Sequence, residues 1–316
     1  MTNKTDKNSK ETRSGAQSKI DERTSTDTNP KRGSVYEQIT ERITGLLAKG
    51  EIPWHKPWKV QTGLPRNLIS KKPYRGINVF LLHAMSYESP YWLTFRQALE
   101  LGGNVRKGEK ACPVVFWKQL AIEDGETGEE ETIPLLRFYH VFNIAQCEGL
   151  KDIPAIVETP VPTPTRPATI VEGMPQRPAI RHGMNGAFYS PSEDIVGLPM
   201  RERFDNEDAY FATAFHELVH STGHASRLNR SMLTDKAGFG SNPYCREELI
   251  AELGASFLCG QAGIAERTIE NSAAYIQGWL KQLRNDKSLI VQAAAQAQKA
   301  ADFILGTKHE EGVSHA

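Results

Sequence analysis

The chain has 316 residues, enough for about two domains of ordinary size. Its 38 Lys and Arg balance 38 Asp and Glu, so only a local imbalance of charge can point to a partner. Four cysteines without a C-x-x-C pair, and no run of about 18 apolar residues, argue against a disulfide framework and a membrane span.

Residues 1–33 are mostly Lys, Thr, Ser, Asn and Asp with almost nothing to bury, and that composition predicts a disordered polar tail. "MTNKTDKNSKETRSG" lacks the apolar core of a secretory signal, so a cytoplasmic location is expected. From Ser34, "SVYEQITERITGLLAKG" reads as an amphipathic helix with Val35, Ile39, Ile43, Leu46 and Leu47 on one face. Ser34 and Glu37 are spaced as a capping box, and Gly50 and Pro53 end the helix. A mixed Pro- and Gly-punctuated stretch follows, with a short helix at "TFRQALEL". "VRKGEKACPVVFWKQLAIE" and "TIPLLRFYHVFNIAQ" read as two strands around the acidic turn "EDGETGEEE".

Residues 34–118 hold 13 Lys and Arg against 6 Asp and Glu, and four of the five tryptophans lie there. Aromatic faces stack bases while cations follow phosphates, so the interleaving suits single-stranded DNA read without sequence preference. The candidates are Trp54, Lys56, Trp58 and Lys59 in "WHKPWK", then Arg66, Lys71, Lys72, Tyr74 and Arg75, then Arg106, Lys107 and Lys110. The plain alternative is that the tryptophans are core and the lysines a solvated face.

Residues 151–178 carry seven prolines and read as a stiff, extended tether that transmits little packing. Beyond it, "AFYSPSEDIVGLP" suggests a strand pair, and helices are expected at 207–222, 244–262, 271–285 and 288–305. The division is therefore a tail at 1–33, a single-stranded-DNA-binding domain at 34–150, a linker at 151–178 and a second domain at 179–316.

"AFHELVHSTGH" places His216 and His220 one helical turn apart, so both imidazoles can face one ion. Glu217 is rotated about 100° from His216 and cannot be a third ligand; it can take a proton from a zinc-activated water. Position 226 is Ser, which removes the elongated three-histidine pattern. "REELIAELGASFL" instead offers Glu247, Glu248 and Glu252. The reading assigns Glu248 to the metal and Glu252 to orienting a ligating imidazole, with the reverse assignment open. Zn2+ is the expected ion, with another divalent metal such as Mn2+ as the alternative. His224, Tyr244 and Arg246 lie within reach as oxyanion stabilisers, and nothing selects one of them.

The segments "SVYEQITERITGLLAKGEIPWHKPW", "WLTFRQALELGGNVRKGEKACPVVFW" and "VFNIAQCEGL" resemble the N-terminal domain of ArdC-type antirestriction proteins, shared with conjugation-associated primases. "AYFATAFHELVHSTGHASRLNR", "FGSNPYCREELIAELGASFL" and "QAQKAADFIL" resemble the same family's zincin-like metallopeptidase domain. The resemblance implies an α+β fold of two domains: a mixed α+β domain that binds single-stranded DNA, and a mainly helical peptidase domain with a small edge sheet. It also implies a plasmid or mobile-element protein that protects incoming DNA from host restriction; whether the metal site cleaves a protein substrate is left open by the resemblance, and no small-molecule cofactor is expected. In glutamate-type zincins with an E-x-x-A-D/N signature the first glutamate is the ligand, which carries over to Glu248; position 252 is Glu where Asp or Asn is common.

Overall fold

The first helix, α1 (Val35–Leu47), starts at a closed capping box: the Glu37 amide donates to Ser34 Oγ at 3.3 Å and the Ser34 amide to Glu37 Oε2 at 2.6 Å. A computed structural model describes residues 34–55, 63–123, 130–151, 164–230, 242–264 and 273–307. The tail 1–33, the stretch holding Lys56, Trp58 and Lys59, the centre of the acidic turn and linker residues 152–163 lie outside the described residues.

After a single helical turn at Pro53–His55 comes β1 (Arg66–Asn67), then α2 (Ile77–His83), β2 (Tyr91–Thr94), α3 (Phe95–Glu100) and β3 (Asn104–Val105). A long hairpin of β4 (Cys112–Glu123) and β5 (Glu130–Asn143) follows, then β6 (Cys147–Glu148). The main sheet has the order β1-β2-β5-β4, with β1 parallel to β2 and the other pairs antiparallel. Helix α2 is buried from Ile77 to Leu82, so its sequence carries no polar stripe and no helical period to read. Its Asn78 occupies both backbone groups of Val115, accepting at 2.8 Å and donating at 2.6 Å, which pins the helix to β4.

The linker is not extended throughout. Residues Pro167–Gly173 form α4, with Pro167 at the start of the helix, where its missing N–H is harmless, and Ile170, Val171 and Met174 are buried. Next come β7 (Ala179–His182), β8 (Phe188–Ser190) and β9 (Ile195–Leu198) in a small sheet of order β7-β9-β8. The chain closes with α5 (Glu207–Ser221), α6 (Asn242–Ala262), α7 (Ala273–Asn285) and α8 (Leu289–Ile304). Asn206 caps α5 by accepting from the Ala209 amide at 2.9 Å.

The result is a two-domain α+β fold whose second domain is zincin-like. The two domains share a core, and from Ser34 the chain forms one compact unit. Phe80 stacks on Phe257 with centroids 4.9 Å apart. Ser256 Oγ donates to the Trp54 carbonyl at 2.7 Å, and Thr40 Oγ1 to the Lys287 carbonyl at 2.7 Å. The Gly76 amide donates to Gln298 Oε1 at 3.0 Å, and Arg75 pairs with Asp302. The expectation of a tether that transmits little packing therefore fails: apolar faces of α1 and α2 are completed by helices that follow the linker. No helix among the described residues is long and apolar enough to cross a membrane.

Candidate functional site

Helix α5 is buried on nearly every face from Tyr210 to Ser221 and packs along α6. The two helices meet closely at Gly254, where a Cβ would lie 2.8 Å from both γ-methyls of Val219. That close approach sets the acidic end of α6 against the histidine turn of α5. His216 Nε2 and His220 Nε2 face each other at 3.1 Å, and the two oxygens of Glu248 lie 3.5 Å from them, one from each. Among the described residues these three form a group able to hold one metal ion, with ligand atoms within 4.8 Å of one another.

The electrostatics fit a cation. Burial disfavours the imidazolium of His216, yet the hydrogen bond to Glu248 and the fields of Glu217, Glu252 and Glu248 outweigh it and raise its pKa to about 9. Burial likewise disfavours the Glu248 carboxylate, and the two histidines and Tyr244 reverse this, holding it down to about 2. The same three side chains thus favour positive charge between them. Two imidazoles and one carboxylate are the protein donor set of an open, catalytic-type zinc site.

Glu247, which the sequence reading left without a role, faces the other side of His220. Its Oε1 lies 3.4 Å from His220 Nδ1. Arg230 clamps the same carboxylate, donating from Nε to Oε2 at 3.1 Å and from a terminal nitrogen to Oε1 at 2.5 Å. Burial would raise Glu247, but His220 and Arg230 hold its pKa down. With Nδ1 donating to Glu247, the His220 Nε2 lone pair points toward His216 and Glu248. Arg230 also donates to Thr222 Oγ1 at 2.6 Å and to the Val219 carbonyl at 2.9 Å, tying the end of α5 to α6. Glu252 is buried one turn beyond Glu248 and acts on His216 through its charge. Glu217 is also buried, at 6% exposure.

Of the three residues weighed as oxyanion stabilisers, Tyr244 hydrogen-bonds Glu248. His224 instead lies 2.8 Å from Ser226 Oγ, and Arg246 donates to Gln292. A second arginine, Arg227, fixes the loop after α5 to the small sheet. It donates to the Ser221 carbonyl at 2.7 Å, to Tyr189 Oη at 3.1 Å and to both oxygens of Asp194. The Arg227 hydrogen bond is the main cause of a lowered Asp194 pKa. Strand β8, an edge of that sheet, runs beside α5.

The residues read as DNA-binding part company. Trp54 is 1% exposed, so it is a core side chain and cannot stack a base. Lys56, Trp58 and Lys59 lie outside the described residues. Lys71 sits over the Tyr91 ring at 5.1 Å, and Arg75 is paired with Asp302. Tyr74 is half-buried, which pushes its phenol up to about 12. Arg106 holds its own loop, donating to the Ala145 carbonyl at 2.5 Å and to Glu109 at 2.9 Å. Arg66 is partly exposed, and Lys72, Lys107 and Lys110 face solvent.

Residues 33–142 match the model of the N-terminal domain of the anti-restriction factor ArdC, and residues 174–296 match that of a zincin-like metallopeptidase. The metal-free crystal structure of antirestriction protein ArdC from plasmid R388 is 37% identical, covers 88% of this chain and 100% of its own, and has a TM-score of 0.68. The Mn(II)-bound structure of that protein is 38% identical, with 87% and 98% coverage and a TM-score of 0.70. A DNA primase TraC from Escherichia coli is 36% identical over 87% of this chain; the chain spans 27% of that relative's length.

Proposed function

The chain belongs to the ArdC-type antirestriction family, related to proteins of conjugative plasmids, and on that premise we propose that it binds single-stranded DNA and shields incoming DNA from host restriction. Its second domain carries a peptidase-like centre in which His216, His220 and Glu248 hold a divalent ion. The observation that carries the reading is the convergence of these three side chains next to buried Glu217, in a chain whose first half matches the ArdC N-terminal domain.

A divalent ion bound there would supply Lewis acidity to a carbonyl and to water. Glu248 and the two imidazoles would hold it, Glu247 and Arg230 fix the tautomer and aim of His220, and Glu217 is the group that would accept a proton from water. Zinc is the ion expected of this donor set, and manganese the alternative supported by the relative crystallised with Mn(II). The outer edge of β8 is the place for an extended peptide to add a strand.

The test is conjugative transfer into a restricting recipient, comparing the wild type with Glu217→Gln. Protection by both assigns shielding to DNA binding. A wild type without protection refutes the proposal. A second reading, a protease that removes protein from entering DNA, is favoured by one observation: a buried Glu217 follows His216 in the chain, and a purely structural ion needs no such base. Protection lost in Glu217→Gln, with DNA affinity unchanged, establishes that reading.

A further inference from the structure

A cleft of about 370 Å³ opens where the main sheet of the first domain meets α8 of the second. Its volume falls within the ~300–1,000 Å³ of sites that enclose small ligands. The wall on the sheet side is aromatic. Tyr139 lies parallel to Phe116, with centroids 4.8 Å apart and planes 2° apart, and Tyr139 is 41% exposed. The cross-strand register puts Tyr139 opposite Val114. Val114, Phe116, Tyr139 and Val141 share the cleft-facing side of the hairpin. Cations stand around the cavity on both sides: Lys72 and Arg75 from the first domain, Lys299 from α8. Among the described residues the one acid in the lining is Asp302, which pairs with Arg75 and accepts from Gln298. Amides and hydroxyls of Asn67, Ser70 and Thr94 complete the polar part.

We propose that this interdomain cleft is a nucleotide subsite, in which an unpaired base of single-stranded DNA stacks on Tyr139 while Lys72 and Lys299 meet the flanking phosphates. The inference rests on the DNA-binding reading above and gives it a location that the Lys- and Trp-rich segments alone did not. A flat, exposed ring already stacked on a second ring offers a rigid platform for any base without selecting its edge. Cations supplied to one cleft by both domains suit a strand passing through rather than a single anion. The subsite is built by both domains, so strand binding is linked to how α8 stands across the cleft from the sheet.

The experiment uses the full chain. Fluorescence anisotropy with a labelled oligothymidylate measures affinity for wild type, Tyr139→Ala, Lys299→Ala and Phe138→Ala. Phe138 is a control: it is equally exposed at 41% but sits on the other face of the hairpin, against His140. Loss of a stacked base weakens binding roughly 5- to 150-fold in Tyr139→Ala. Loss of one phosphate contact in Lys299→Ala lowers the slope of log affinity against log salt by about 0.7. Phe138→Ala stays at wild-type affinity. Photo-crosslinking of wild type to an oligonucleotide carrying 5-iodouracil, read by mass spectrometry, places the adduct on Tyr139 and needs no variant to fold. A mononucleotide arm separates the sources: free thymidine monophosphate at millimolar concentration competes weakly, because it offers one phosphate to two sides. If wild type binds no oligonucleotide, the DNA-binding reading itself falls. If wild type binds while Tyr139→Ala binds equally well, or the adduct lies elsewhere, only the cleft is overturned. A mononucleotide that binds as tightly as the strand also overturns it.

Discussion

Glu247→Gln tests whether the metal centre is aimed from outside its ligands. Glu247 takes two hydrogen bonds from Arg230 and lies against His220 Nδ1, and side-chain exposures of 6% and 7% place the ion pair almost out of water. Gln keeps the shape but loses the charge, and its amide end must turn toward either Arg230 or His220, both donors here. Removing one partner of a buried pair costs about 3–5 kcal/mol. The remaining Gln oxygen still accepts one bond, so the lower end, about 3 kcal/mol, is the expected loss of apo stability. Freed from its acceptor, His220 loses its fixed tautomer, and metal affinity drops roughly 10- to 100-fold. At a fixed excess of metal, the stabilisation that metal confers shrinks by about 1.4–2.7 kcal/mol. A chelator-competition titration reads the first quantity, and urea unfolding with and without Mn2+ or Zn2+ reads the second. Metal affinity within twofold of wild type, in a variant that has lost apo stability, would show that Glu247 only braces the helices.

Three further outcomes bear on the same reading. The double variant His216→Ala, His220→Ala loses stoichiometric metal by elemental analysis; full occupancy there contradicts the ligand set. Glu217→Gln keeps metal and DNA affinity, and any peptide hydrolysis falls by ~100-fold or more because amide nitrogen cannot accept the proton; hydrolysis at the wild-type rate removes Glu217 as the base. Trp54→Ala unfolds at lower urea, with a loss of about 3–5 kcal/mol set by its burial; unchanged stability with weakened DNA binding would restore it as a stacking residue.

What the sequence made legible was local. His216 and His220 come together because residues four apart on a helix share a face, and that spacing is written in the chain. The capping box at Ser34 and the Asn206 cap are equally short-range. Glu247 was offered beside Glu248 and Glu252 but given no role, because adjacent residues differ by a rotation of about 100° whose outcome only the packing of α6 on α5 fixes. Arg230 was invisible, since it lies outside any periodic segment and reaches Glu247 only after the chain turns back. Helix α2 gave no period because every side faces protein. Trp54 sat in a basic stretch that suggested a base-stacking role, yet the residue that covers its backbone, Ser256, lies in α6, about 200 positions away. Pro167 was read as linker punctuation, although the same residue type opens helices as readily.

The shared core makes a final prediction about cutting the chain. A fragment of residues 34–151 retains the main sheet, α1, α2 and α3, and by charge alone it would be the DNA-binding unit. Its core is incomplete without the later helices. Phe80 loses the Phe257 ring, the Trp54 turn loses α6, and the face of α1 carrying Thr40 loses the chain around Lys287. Each large apolar side chain brought to the surface forfeits about 1.5–3 kcal/mol. Phe80, Trp54 and one α1 residue together approach the ~5–15 kcal/mol that holds a domain folded. The fragment is therefore expected to aggregate or to melt without cooperativity in calorimetry, and to bind oligonucleotides far more weakly than the whole chain. Adding the complementary fragment 164–307 should restore both, because the missing face is then supplied in trans. A fragment 34–151 that melts cooperatively near the temperature of the full chain would show that the interface is a docking contact between independent domains, and that binding and metal chemistry can be separated by a cut at the linker.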